Sequence, residues 1–356
     1  MRIAYLLSWS RPGREASHAQ SLATAAALAR HGHEVTLVMP RRLGDTAVPI
    51  DGLTVVQRPA RWVSENFLAS ALWLRRAFRD PVIRASDLLL TRMPMIQVMG
   101  AASPVPFAFD HYRRWPDDLP FIRPLVRRTA RSDKCMGLIL HSQLAADSYR
   151  RAGVPAEKIL VAYNGADPAP AAAPADLPRD RPVALYAGRI NAAKGLDLVL
   201  QMARARPSVL FALVGSEGEG PIEQAARALP NVLIVPWQEN VAPWLAAADV
   251  LLIPPASAPL ERHRTCVLPI KLFAYLAAGR PILAPAAPDT GELLVDGENA
   301  VLVPPDDVGA AVAGLDRILA DPVLSTRLGE RARRLAEGLT WDSRAGRISA
   351  FLQRSA

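Results

Sequence analysis

Short apolar runs alternate with stretches of helical periodicity along almost the whole chain, and this alternation limits the fold more than any other feature. Residues 3–7, 34–39, 88–91, 107–109, 137–140 and 159–162 read as buried strands. Between the first two, residues 17–31 carry Ala and Leu at helical spacing and end at Gly32, a residue suited to a helix C-terminus. Strand, helix and strand repeated in this way build βαβ units and a parallel sheet, so the class is α/β rather than a sandwich or a bundle. From Gly165 to Pro182 the periodicity stops and Pro, Ala and scattered Asp take over. It resumes with strands at 183–186, 209–214, 232–235 and 250–253, and with helices from Leu196, from Ile222 and around Trp244. Two doubly wound, Rossmann-like domains are therefore expected, at 1–168 and 183–340, joined by a Pro/Ala-rich linker at 169–182. Residues 341–356 keep helical periodicity beyond the last expected helix and are predicted to pack back towards the first domain.

A length of 356 residues fits two cores better than one. Half of the residues are hydrophobic, which excludes a disordered chain, yet Arg, Asp or Pro interrupts every apolar run before the roughly 18 residues a membrane span needs. The opening apolar run is too short for a signal peptide and reads as a strand. Two cysteines, Cys135 and Cys266, give no disulfide framework, so a reducing compartment is expected. The predicted location is cytoplasmic, or peripheral on the inner face of the cell membrane.

The net charge of +8 is unevenly spread: 23 Lys and Arg face 14 Asp and Glu up to Asp167, against 19 and 20 beyond it. A basic first half attracts anionic surfaces such as phospholipid or a lipid-linked diphosphate. Arg123, Arg127, Arg131 and Lys134 would share one face of a helix, opposite Ile122, Leu125, Val126 and Thr129. That face is either a membrane or acceptor surface or an ordinary solvated one. No aromatic residues interleave with these arginines as stacking platforms, so nucleic acid is not an expected partner.

The strand at 183–186 runs into Gly188, Arg189 and Ile190, then Lys194, Gly195 and a helix. A loop at the carboxyl end of a parallel strand is where open α/β sheets bind ligands. Gly188 permits close backbone approach, and Arg189 and Lys194, with the helix N-terminus, suit a diphosphate. A surface loop with two solvated cations is the alternative. Asp110 and His111 follow the run 107–109 and so stand at a strand's carboxyl end, either facing a ligand or forming a solvated turn. Gly215, Gly218 and Gly220 are spaced G-x-x-G-x-G, which is not the dinucleotide fingerprint. Asp117-Asp118 and Asp306-Asp307 lie next to Pro in expected turns.

Several further pieces fall in one order: Gly32-His33-Glu34-Val35, Gly153-Val154, Glu157-Lys158-Ile159, Asn164-Gly165-Ala166-Asp167, and Ala248-Asp249-Val250. After them come Lys271-Leu272-Phe273, Ala277-Ala278-Gly279-Arg280-Pro281-Ile282, Gly291-Glu292, Gly297-Glu298-Asn299 and Trp341. Together with the Gly188 to Gly195 segment, this series resembles glycosyltransferase family 4, the retaining group 1 glycosyltransferases of GT-B fold. The resemblance implies two Rossmann-like domains facing across a cleft, with the acceptor on the first and a nucleotide sugar on the second.

As donor-facing positions the resemblance implies Gly13, Gly188, Arg189, Lys194, Gly215, Trp237, Cys266, Val267, Leu268, Pro269, Ile270, Lys271 and Ala274. It places Asp110 and His111 beside the transferred sugar, and Arg189 and Lys194 on the leaving diphosphate. The segment 258–268 would line the sugar, with Glu261, Arg262, His263 and Arg264 as polar candidates. Ala274 stands where the donor motif of such relatives has a Glu that accepts from the ribose hydroxyls, and Cys266 stands at the other acidic position. Losing each charge-assisted hydrogen bond weakens nucleotide binding by about 1.5 to 3 kcal/mol before any replacement contact.

The expected activity is transfer of a hexose from a UDP- or GDP-sugar to a hydroxyl acceptor, lipid-linked or a polysaccharide precursor, without metal or other cofactor. The alternatives are a GT-B binding protein that has lost turnover, motivated by Ala274, and another GT-B activity such as nucleotide-sugar epimerisation.

Overall fold

The computed structural model describes residues 1–42, 44–60, 67–167, 173–262 and 267–355, with side chains for all of these but Phe67, Leu68, Arg262 and Ser355. Contacts divide the chain into two units, Met1–Asn164 with Trp341–Ala356, and Gly165–Thr340. Unit 1 holds β1 (Arg2–Leu6), β2 (Glu34–Arg42), β3 (Thr54–Ala60), β4 (Leu88–Thr91), β5 (Phe107–His111), β6 (Cys135–Leu140) and β7 (Ile159–Val161). They form one parallel sheet in the order β3-β2-β1-β4-β5-β6-β7. Unit 2 holds β8 (Val183–Ala187), β9 (Leu210–Ser216), β10 (Val232–Pro236), β11 (Val250–Leu252), β12 (Ile282–Pro285) and β13 (Val301–Val303). Their order, again parallel, is β10-β9-β8-β11-β12-β13.

In both sheets the chain winds outward in one direction and then in the other. The reversal falls between β1 and β4 in unit 1 and between β8 and β11 in unit 2. Such switch points open a crevice at the carboxyl ends of the strands. Central strands here are apolar without alternation because both faces are covered; Val183, Ala184, Leu185 and Tyr186 of β8 are all buried. Three strands were not expected from the sequence. The edge strand β3 mixes polar residues and Pro59 and is mostly half-buried, while β12 and β13 span only four and three residues.

The helices used below are α1 (Ala16–Arg30), α2 (Phe67–Ala77), α3 (Arg123–Ala130), α4 (Leu196–Ala205), α5 (Ile270–Ala278), α6 (Pro322–Glu337) and α7 (Trp341–Ser355). None of the described helices is long and apolar enough to cross a membrane. A close glycine contact fixes one helix in each unit. A Cβ on Gly137 of β6 would lie 2.3 Å from the Phe351 ring, so the missing side chain lets α7 close on the sheet of unit 1. A Cβ on Gly329 of α6 would lie 2.3 Å from the carbonyl of Gly279, the left-handed residue that caps α5.

Helix α3 corrects one expectation. It ends at Ala130 with Arg131 as its cap, and Lys134 lies beyond it, because the Lys134 carbonyl already accepts the Phe107 amide at 2.8 Å beside the sheet. Ile122, Val126 and Thr129 are buried, whereas Leu125 turns outward and is 44% exposed, close to Phe121 at 76%. Of the expected basic face, Arg123 is engaged with Asp117 at 3.1 Å and with the Pro116 carbonyl at 2.8 Å.

Candidate active site

At the switch point of unit 2, β8 ends in Ala187 and the chain turns through Gly188 at φ 144. A Cβ at Gly188 would come within 2.7 Å of Lys271 Nζ, and one at Gly215 within 2.4 Å of the Gly188 carbonyl oxygen. The two glycines therefore let the Lys271 ammonium approach the turn after β8 and let the backbones at the carboxyl ends of β8 and β9 pack closely. Lys271, on the first turn of α5, is half-buried and sets its ammonium 3.4 Å from the centroid of the Tyr186 ring. The Tyr186 hydroxyl donates to the Arg189 carbonyl at 2.9 Å, and the Tyr275 hydroxyl accepts the Ala187 amide at 2.7 Å, so the walls are tied down.

Burial first, and then the like charge of Lys194, press the Lys271 ammonium well below its ordinary range. Among the described residues no carboxylate pairs with Lys271. A desolvated cation beside a second cation is relieved by an anion, and a diphosphate supplies several acceptor oxygens at once. Arg189 pairs through Nε with Glu217 at 3.3 Å, so its charge is partly answered within unit 2. Trp237 leaves the end of β10 with its amide on the Ser216 carbonyl at 2.8 Å and its side chain 39% exposed. Leu268 is buried, Val267 and Pro269 are half-buried, and Pro269 leads into α5, which carries Ile270 and Ala274. Cys266, His263 and Arg264, with the side chain of Arg262, lie outside the described residues. Glu261 is exposed.

Unit 1 separates Asp110 from His111. Both belong to β5 itself, as its last two residues, so their side chains leave opposite faces of the sheet. Asp110 is fully buried; its Oδ1 accepts from Arg344 Nη2 of α7 at 2.6 Å and from His141 Nε2 at 2.7 Å. Burial alone would raise this carboxyl, but Arg344 and His141 outweigh it and hold it far below the usual range. His141 is itself pushed down to about 4, by burial above all, and is neutral at pH 7. With its Nε2 hydrogen on Asp110, its Nδ1 accepts from Gln20 Nε2 at 3.2 Å. No local pattern in the sequence points to His141 or Arg344, which reach Asp110 from the end of β6 and from α7.

His111 faces the other way, with its ring 5.1 Å from Phe109 and stacked at 4.6 Å on Tyr112. It borders a cavity of about 140 Å³ at the carboxyl ends of β1, β4 and β5, with Ser8, Trp9, Ser70 and Arg92 among the other lining residues. Its Nδ1 accepts the Arg113 amide at 3.0 Å, and burial followed by the charge of Arg92 keeps the imidazole well below its ordinary pKa. A neutral imidazole with one nitrogen occupied leaves Nε2 as its hydrogen-bond donor. Gly13, on the loop after β1, is exposed and donates its amide to His18 Nδ1 at 2.9 Å. The paired aspartates have structural partners: Asp117 with Arg151, Asp118 with Arg113, Asp306 with the Ser257 amide, and Asp307 as a cap on the Ala310 amide.

A model described as glycosyltransferase family 4 matches residues 20–170, and one described as glycosyl transferases group 1 matches residues 181–321. The lipopolysaccharide core biosynthesis glycosyltransferase LpsE of Rhizobium meliloti is 28% identical over 182 residues, covering 50% of this chain and 51% of that protein. A D-inositol 3-phosphate glycosyltransferase of Xylanimonas cellulosilytica is 31% identical over 180 residues, 48% of this chain and 41% of its own. The chain thus spans about half of the curated relatives' length, or somewhat less, in these matches. Among solved structures, Anabaena HepE in complex with UDP and glucose has a TM-score of 0.71 at 17% identity, with 99% of each chain covered. Sucrose-phosphate synthase from Thermosynechococcus elongatus reaches 0.77 at 18% identity, also over 99% of each. WaaG, described as a glycosyltransferase involved in lipopolysaccharide biosynthesis, gives 0.66 at 14%, over 98% of this chain and 99% of its own. All three carry the same two-sheet α/β fold.

Proposed function

The chain belongs to the family 4, group 1 glycosyltransferases of GT-B fold, and we propose that it moves a hexose from a nucleoside diphosphate sugar to a hydroxyl with retention at the anomeric carbon. The observation that carries this reading is the Lys271 ammonium beside the Gly188 turn, desolvated next to Lys194 and, among the described residues, without a carboxylate. In the reaction the bond from the anomeric carbon to the diphosphate oxygen breaks as the bond to the acceptor oxygen forms, and the acceptor's proton passes to the departing phosphate. Charge grows on the diphosphate, and fixed cations there act on the transition state more than on the ground state. Lys271 and Lys194 take that role, with Arg189 beside them.

A UDP-sugar is the leading donor because HepE is described with UDP, with UDP and glucose, and with UDP-glucose. Unit 1 presents the acceptor, with His111 orienting hydroxyls through Nε2. Asp110 supports it indirectly, by holding β5 in place, since it is buried with its Oδ1 on Arg344 and His141 and its Oδ2 facing the Tyr5 hydroxyl at 3.5 Å. The exposed Phe121 and Leu125, flanked by the exposed Arg127 and Arg128, suit peripheral docking on an anionic membrane and hence a lipid-linked or envelope-polysaccharide acceptor.

The test is nucleotide release from UDP-glucose and GDP-mannose with envelope lipid extract as acceptor, for wild type and Lys271→Ala. Release should fall at least tenfold in the variant; equal release in both would remove the mechanism. Ala274, which offers no oxygen to a ribose, favours a second reading, a chain that keeps the GT-B fold as a binding protein but has lost turnover. That reading predicts no saturable heat with uridine, guanosine or adenosine diphosphate and no nucleotide release from any donor.

A further inference from the structure

The cavity of unit 1 contains a cation that the transfer reaction as derived above does not use. Arg92 follows β4 directly, next to the switch point between β4 and β1, and its Nη1 is buried without a hydrogen-bond partner among the described residues. Its guanidinium carbon stands 5.7 Å from the centroid of the Tyr112 ring, and its charge reaches Asp110 and His111. The charges around it are already answered. Arg113 pairs with Asp118 at 3.0 Å, and the nearby Asp110 is held by Arg344 and His141. On the cavity wall Ser70 of α2 is 2% exposed, and its hydroxyl is also buried without a partner among the described residues.

We propose that this cavity is an oxyanion subsite, so that the acceptor carries, close to the hydroxyl being glycosylated, a phosphate or carboxylate gripped by Arg92 and Ser70. This rests on the transfer reading above. An apolar occupant would leave a buried guanidinium nitrogen and a buried hydroxyl unsatisfied, and a cation would be repelled. An oxyanion offers two or more acceptors to the planar guanidinium fork and one to the hydroxyl. His111, on the same wall, would then feel an added negative charge against those it feels now from Arg92, His141, Arg113 and Asp110. Its titration is therefore a local reporter for the occupied subsite.

The experiment uses the full chain with labelled histidines and follows the His111 ring by NMR while glycerol 3-phosphate, glycerol or phosphatidylglycerol vesicles are added. UDP affinity, a property of unit 2, is measured on the same samples. Glycerol 3-phosphate should raise the His111 pKa, glycerol should not, and the shift should weaken about tenfold or more in Arg92→Gln and several-fold in Ser70→Ala. Arg92→Lys should keep part of it, and it carries the comparison if the Gln variant does not fold. A response to vesicles alone that still needs Arg92 would assign the oxyanion to a lipid headgroup. If UDP binds but neither anionic probe moves His111, or the response is the same without Arg92, the subsite is refuted while the transfer reading stands. If UDP fails to bind, the transfer reading fails, and the His111 response still reports on the cavity.

Discussion

Arg344 Nη2 donates to Asp110 Oδ1 at 2.6 Å, joining the last helix, α7, to β5 across 234 residues of sequence. Both side chains are buried, and Arg344 also donates to the Ala162 and Tyr163 carbonyls. Removing one partner of such a pair strands the other, at about 3 to 5 kcal/mol. Arg344→Met should lower the unfolding free energy by that order in urea titrations, and Asp110→Asn in the same chain should restore part of it. A loss below about 1 kcal/mol would mean that α7 is held by its apolar contacts alone.

Acid should destabilise the protein well above the carboxylate range. The unfolded histidines protonate near about 6.5. Folded His141 takes its proton only near 4, and folded His111 also lies well below its ordinary value. As pH falls from about 6.5 towards 4 the unfolded state binds more protons, so stability declines, by up to about 1.4 kcal/mol per pH unit for each imidazole. Urea midpoints at pH 7.5 and pH 5 measure it. His141→Gln, which can still donate to Asp110, should flatten the profile; an unchanged slope would show that His141 is not the titrating group.

Gly215→Ala should destabilise unit 2 by about 1 to 3 kcal/mol, because its Cβ would stand 2.4 Å from a backbone oxygen of Gly188 and its φ is 125. Gly291→Ala, with nothing within 4 Å, should stay within about 0.5 kcal/mol of wild type. Thermal unfolding of the two variants side by side makes the comparison, and equal midpoints would contradict the close approach of β8 and β9.

Phe121→Asp should reduce binding to vesicles rich in phosphatidylglycerol several-fold, since it replaces a ring 76% exposed with a charge of the membrane's own sign. Sedimentation with anionic and with zwitterionic vesicles reads the effect. Binding that is unchanged by the substitution would assign the exposed ring no role at a membrane.

The central strands were legible because burial on both faces makes runs such as 183–186 continuously apolar, and their ends located Gly188 and Lys194. Strands β12 and β13 escaped because three or four residues beside Pro or Asn do not stand out from a loop. Within the site, the resemblance supplied Lys271, but no local pattern could pair Asp110 with Arg344 or separate it from His111. The first is a contact over 234 residues, and the second follows from a strand two residues longer than its apolar run suggests. In the sequence Arg92 is like any arginine after a strand; its partnerless Nη1 on the wall of a cavity shared with Ser70 is visible only in the fold.

Calorimetry of UDP binding to wild type and Lys271→Met tests the donor site most directly. The wild type should bind saturably and the variant at least tenfold more weakly, a loss of about 1.4 kcal/mol or more. The variant should melt no lower than wild type, because it trades a desolvated ammonium for an apolar chain of similar length. Equal affinities, or no saturable heat with either UDP or GDP, would contradict a diphosphate at Lys271.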